Sequence, residues 1–448
     1  MDTHKRTICK LVFPSLLGIL LFLVPVRYQG GTEIVVGIVG SRLKDAMGQA
    51  LVPILVAVIL ISALVSLWHR VRPIPLLARH PALAGYFSPT PFWLAARLLG
   101  AAASVLTLFR LGPEEVWSMD TGGNMLWSIL PTCAVWYLVG GFLLPFLTEY
   151  GSMELLSSLF RRVARPLFRV PGRAMIDCVT SWMGSSVCGT YLTISQYESG
   201  YYNAREAATI ITNFSLLSIS FCSLVASMLG LGGLFGQFYL TIVISGLVCA
   251  VITPRIWPLC RFPESYDPAS GKQASEEVPD GMSSLQWGWR QALARAEKAP
   301  GPVAFVKKGA ASAADLMFTT LPVIMAFGTP ALMIATYTRV FDYLGVPLGM
   351  YLELFGVPDA MEAGAVMLVG FADQFIPAII GSTMPAVFTR FLLGCICILQ
   401  VLYVTDVGAL VLTSRVPFRF WQLLVLFLER VIICVPLVVL CGRMLGVG

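Results

Sequence analysis

The sequence predicts an all-α integral membrane protein of about nine transmembrane helices plus two re-entrant helical hairpins in an inverted repeat. Composition is the first reason: 57% of the 448 residues are hydrophobic and only 12% charged, with a mean hydropathy of +0.78. So little polar surface cannot coat a soluble globule. The second reason is a series of apolar stretches of spanning length. The third is that residues 129–257 and 320–443 read as one unit written twice. Each copy opens on Leu-Pro (Leu130-Pro131, Leu321-Pro322) and reaches a further proline (Pro171, Pro358) at nearly equal spacing. Each then holds a broken segment with a polar centre, one long apolar stretch and a final one, an order that marks an internal repeat. The expected division is an N-terminal three-helix segment 1–125, a first repeat 126–257, a linker 258–310 and a second, inverted repeat 311–448.

In chain order, crossings are expected at about 11–26, 50–68, 92–111, 126–148, 206–230, 235–257, 317–338, 384–413 and 419–441. Lys5, Arg6 and Lys10 before the first could imitate a secretory signal, but no small-residue cleavage site follows, so it is read as a retained span. Arg97, near the start of the third, must snorkel or find a partner. Residues 152–169 carry Leu155, Leu156, Leu159, Phe160, Val163 and Leu167 against a face of arginines, the pattern of a helix lying on the membrane surface. The hydrophilic loop 258–308 mixes charges with Pro, Ser and Gly and reads as a flexible cytoplasmic link.

Charge sets orientation. Segments 69–92 and 150–174 are rich in arginine and should be cytoplasmic, whereas 112–125 and 339–362 are acidic and should face outward. The segments 174–200 and 361–383 each comprise two short apolar halves. Read as hairpins, one entering from each side, they keep every basic loop inside; two kinked full spans are the alternative. The N-terminus is then cytoplasmic and the C-terminus outside, as for a multi-pass protein of a bacterial-type cytoplasmic (inner) membrane.

Several chemistries are disfavoured. The eleven cysteines sit mostly inside apolar runs without paired ligand spacing, and His4, His69 and His80 all precede the repeats. Ser270-Gly271-Lys272 lacks the leading glycine of a phosphate loop. Neither an enzyme nor a cofactor is expected. The net charge of +6 clusters beside the spans, so the bilayer, not nucleic acid, is the expected partner.

Broken helices expose backbone dipoles and are tolerated in hydrocarbon only where protein or water lines the gap. The first break is expected at Gly184-Ser185-Ser186 and Gly189-Thr190, the second around Gly370, Asp373, Gln374, Pro377 and Gly381-Ser382-Thr383. Ser185, Ser186, Thr190, Gln196, Asn213, Asp373, Gln374, Ser382, Thr383 and Arg390 are therefore candidate solute contacts, although glycines and hydroxyls also serve close helix packing. Asp373 leads, because a carboxylate inside a membrane segment must be paired, protonated or cation-bound. Arg390 is its expected partner, as a coupling device or as a permanent ion pair. Asp406 and Glu429 are further candidate ion-coupling acids.

The string Gly370-Phe371-Ala372-Asp373-Gln374-Phe375-Ile376-Pro377-Ala378, with Thr389-Arg390-Phe391, Gln400-Val401-Leu402-Tyr403 and Leu428-Glu429-Arg430-Val431, resembles the YjiH-like proteins of the nucleoside-recognition Gate-domain group. Thr193, Gln196-Tyr197, Gly200-Tyr201-Tyr202 and Arg205-Glu206-Ala207 are similar to the same pattern, and the likeness covers essentially the whole chain. The resemblance implies a hairpin-plus-two-helix repeat, solute passage, and pairing with a smaller Gate protein or with a second copy. The expected function is a secondary transporter of a small polar or charged solute, of nucleoside-like, dipeptide or organic-acid class, driven by H⁺ or Na⁺ through alternating access. The alternative is a non-transporting Gate subunit that scaffolds a partner complex.

Overall fold

The structure, a computed structural model, describes residues 3–28, 31–75, 86–183, 186–216, 219–272, 281–374 and 376–447. It is helical apart from a two-strand hairpin, Pro25–Tyr28 against Gly31–Ile34. Among the described residues, six helical stretches are long and apolar enough to cross a membrane: Val35–Val71, Pro91–Phe109, Glu114–Thr148, Gly232–Arg255, Pro302–Tyr337 and Phe420–Met444. They carry large apolar side chains outward, such as Leu64 (58% exposed) and Leu440 (57%), as a lipid-facing surface requires. This is a multi-pass membrane protein in contact with the bilayer.

The N-terminal part comprises α1 (Thr3–Leu23), α2 (Val35–Met47), α3 (Leu51–Val71) and α4 (Pro91–Phe109). The next group is α5 (Leu130–Thr148), α6 (Ser152–Phe168), the half-helices α7 (Ala174–Met183) and α8 (Ser186–Glu198), a second pair α9 (Ala204–Phe214) and α10 (Ile219–Met228), then α11 (Phe235–Ile252). After α12 (Ser284–Glu297) and α13 (Pro302–Thr319) the same order returns: α14 (Leu321–Tyr337), α15 (Val340–Glu353), the halves α16 (Ala360–Val369) and α17 (Ile376–Gly381), the pair α18 (Val387–Leu399) and α19 (Ala409–Thr413), then α20 (Phe420–Met444).

Corresponding elements run antiparallel where they meet. Trp257, just past α11, stacks on Trp421 at the start of α20 (5.7 Å between rings). Phe391 touches Phe238, near the start of α11 (5.9 Å), and lies against Gly442 at the far end of α20. Close backbone approach fixes the rest: a Cβ added at Gly100 on α4 would sit 1.8 Å from the carbonyl oxygen of Pro322 on α14.

The structure differs from the sequence expectation in four places. The stretches 206–230 and 384–413 are not continuous helices. α9 ends at Phe214, and α18 gives way at Gln400 to Val401, whose φ of +63° is strained for a β-branched residue. The break near Gly189-Thr190 is absent, since both lie within α8. A Cβ at Gly189 would reach 1.6 Å from Ser181 Oγ, so this glycine lets α8 close onto α7. The 258–308 loop is not merely a flexible link. It contains α12, capped by Ser283 and Gln286 and tied to the end of α5 by an Arg295–Glu149 ion pair of 2.6 Å.

Candidate functional site

A cavity of about 470 Å³ opens where α4, α8, α13 and the chain around α19 meet. α4 supplies Trp93 and Arg97, α8 supplies Tyr191, Ile194 and Glu198, α13 supplies Asp315, and the chain after α19 supplies Arg415. Two guanidinium groups and two carboxyl groups thus share one chamber with the rings of Tyr86, Trp93 and Tyr191.

Each charge is positioned by its neighbours. Arg97 is buried, and its Nη1 donates to Ser66 Oγ (2.9 Å) and to the carbonyl of Tyr86 (2.6 Å). That is the partner a guanidinium inside an apolar span requires. Arg415 Nη1 pairs with Asp267 (3.1 Å), and its backbone N–H donates to Glu198 Oε1 (3.4 Å). Glu198 is the last residue of α8, outside the six long apolar stretches. Burial, with Asp315 nearby, pushes its carboxyl up to about 7, against the pull of Arg415. Such a group changes charge near neutral pH. Counting Asp267, which pairs with Arg415, three carboxyl groups face two guanidinium groups, so protonation of Glu198 brings the charges into balance. The arrangement can hold a polar or charged solute with a ring or apolar portion against Trp93 and Tyr191.

Arg97 is the one lining residue that the sequence had singled out, as a charge needing a partner; none of the candidate solute contacts or ion-coupling acids lines this cavity. Ser185 lies outside the described residues, as does the side chain of Asp406. Ser186 and Gln196 are buried in α8, and Gln196 Oε1 has no partner. Thr190 donates to Ser215 Oγ (2.9 Å), joining α8 to the end of α9. Asn213 accepts from Thr253 (2.6 Å) and from Arg430 (2.8 Å). Asp373 accepts from Thr405 (3.3 Å) and from the N–H of Ile376 (3.4 Å). The expected Asp373–Arg390 pair is not among the ion pairs of the described residues: Arg390 Nη1 donates to the carbonyl of Leu229 (3.2 Å). Gln374 is half-buried, with Oε1 unpartnered. Ser382 and Thr383 are exposed at the end of α17, and their hydroxyls bond the carbonyls of Ile379 and Ile380 (2.6 and 2.7 Å), so their own helix turn takes the donors. Glu429 is half-buried on α20 with Oε2 unpartnered.

Asp177 and Asp315 were missed. Asp177 is buried in α7, where its Oδ2 accepts from Thr193 (2.8 Å). Both acids interrupt apolar runs, and the rule that singled out Asp373 would have found them.

Fold and site together define a polytopic helical membrane protein with interrupted helices and a cavity lined by charged side chains. Residues 126–232 match the family model described as Gate, nucleoside recognition. The chain is 40% identical over 430 residues, 96% of its own length and 93% of the relative's, to the uncharacterized protein BpOF4_10220 of Alkalihalophilus pseudofirmus. It belongs to the Gate-domain family of membrane proteins, a family associated with nucleoside transport. No solved structure matches it.

Proposed function

We propose that this protein is a secondary carrier of a small polar or charged solute, which occupies the chamber between Arg97, Glu198, Asp315 and Arg415. The observation that carries this reading is the chamber itself, since a scaffold gains nothing from four ionisable groups held around open volume. In this reading residues 126–257 and 311–448 are two Gate-like repeats inserted in opposite senses, with nine crossings and two re-entrant hairpins. The antiparallel meeting of α11 with α20 supports it. The membrane is the bacterial cytoplasmic one, the N-terminus is inside and the C-terminus outside, and a second copy or a smaller Gate protein completes the assembly.

Each hairpin carries one buried carboxylate bonded to a threonine hydroxyl, Asp177 to Thr193 and Asp373 to Thr405. These are the acids assigned to proton coupling. Rocking of one repeat against the other then exposes the chamber to each side in turn. The test uses proteoliposomes with labelled uridine, a dipeptide and succinate under an imposed pH gradient. One of the three should accumulate, and Asp373→Asn should abolish accumulation while sparing exchange at equal pH. Failure of all three with the protein shown to be folded would contradict the carrier reading.

A further inference from the structure

Arg430, in the middle of α20, is 1% exposed and, among the described residues, has no carboxylate as a hydrogen-bond or ion-pair partner. Its Nε donates to the carbonyl of Leu399 (2.7 Å), and its Nη1 donates to the carbonyl of Thr212 (2.7 Å) and to Asn213 Oδ1 (2.8 Å). Those carbonyls are not arbitrary. Leu399 is the last residue of α18 and Thr212 lies in the last turn of α9, so each is a helix-end acceptor with no continuing turn to satisfy it. One guanidinium therefore caps both broken spans, one from each repeat-like group.

The charges balance. A helix C-terminus carries roughly −0.5 of an elementary charge, so two converging on one point offer about −1, enough to offset a guanidinium without any acid. In broken-helix carriers, the same kind of place, where half-helix C-termini and unwound carbonyls converge, is where a driving cation binds. We infer that Arg430 is a resident cation fixed at that place, that the junction of the two breaks therefore takes no Na⁺, and that coupling is left to the proton-bearing acids of the hairpins. The coupling clause rests on the carrier reading; the occupancy of the junction does not.

The experiment reads thermal unfolding of the purified full chain in detergent, with low-millimolar sodium, guanidinium or tetramethylammonium chloride at matched ionic strength. The wild type should melt at the same temperature in all three. Arg430→Ala should melt several degrees lower and recover in guanidinium but not in tetramethylammonium, because the freed junction accepts a planar multi-donor cation. Arg430→Lys should stay above Arg430→Met, which keeps length and loses charge. This comparison decides the matter if the alanine variant does not fold. Stabilisation of the wild type by sodium would overturn the inference, as would a folded Arg430→Ala indifferent to guanidinium, or Arg430→Met as stable as Arg430→Lys. A protein that passes these tests yet moves no solute sinks the carrier reading alone.

Discussion

Glu198→Gln isolates the chamber's titrating group. Glu198 holds its proton up to about 7 in the folded protein against an ordinary value of 4.5, because burial and Asp315 disfavour its charge. Between those values the folded protein binds one proton more than the unfolded chain, so the stability Glu198 contributes is full below about 4.5 and is lost as pH rises to about 7. At 1.36 kcal/mol per unit the difference sets an upper bound of about 3 kcal/mol. Water in the chamber screens the carboxylate and reduces this to ~1–2 kcal/mol, a shift of a few degrees in melting temperature. Glutamine mimics the protonated acid and cannot titrate. Melting curves of wild type and Glu198→Gln, taken from pH 4.5 to 8 in one detergent, should diverge as pH rises, with the variant ahead at the alkaline end. A difference curve that is flat, or that rises in favour of the wild type, would refute the burial argument. If the solute is an anion that binds only the protonated chamber, its affinity should fall roughly tenfold from pH 6 to pH 8 in the wild type and stay level in the variant.

Two further outcomes test the packing. Gly100→Ala places a methyl 1.8 Å from a backbone oxygen of α14 that cannot yield, so monodisperse protein recovered by size exclusion should fall sharply; Gly236→Ala, with nothing within 4 Å of its new methyl, should cost nothing measurable. Asn213→Ala removes the acceptor shared by Thr253 and Arg430, each of which keeps a backbone carbonyl, that of Cys249 for Thr253 and that of Thr212 for Arg430. It should lower unfolding free energy by about 1–2 kcal/mol, read by denaturant titration, whereas Ser382→Ala should leave it unchanged.

Hydropathy made much of the helical architecture legible. The boundaries of α5, α11, α14 and α20 follow apolar runs, and the pause between α16 and α17 follows a polar centre; the expected break at Gly184-Ser185 lies outside the described residues. The interruptions after Phe214 and Leu399 were hidden because the apolar residues on either side of the polar positions Asn213, Ser215 and Gln400 keep each stretch at spanning length and hydropathy. What ends α18 is a tertiary arrangement: Gln400 Nε2 bonds the Met367 carbonyl, the Val404 N–H bonds the Phe371 carbonyl, and Arg430 takes the Leu399 carbonyl. The chamber was illegible for a related reason. Arg97, Glu198, Asp315 and Arg415 come from four distant segments, and no spacing rule links them. Arg97 was visible as a charge needing a partner; that Ser66 and the Tyr86 carbonyl supply it depends on how α3 packs on α4. Ser382 and Thr383 looked like solute contacts because composition cannot show a hydroxyl already spent on its own helix turn.

Opposite insertion of the two repeats underlies both the carrier reading and the shared role of Arg430, and sidedness of labelling measures it directly. On a cysteine-free background, Arg162→Cys on α6 and Glu353→Cys on α15 place exposed thiols on corresponding helices. In intact cells an impermeant maleimide should label position 353 and spare 162, with 162 reacting only after permeabilisation. Labelling of both thiols from the same side would contradict opposite insertion.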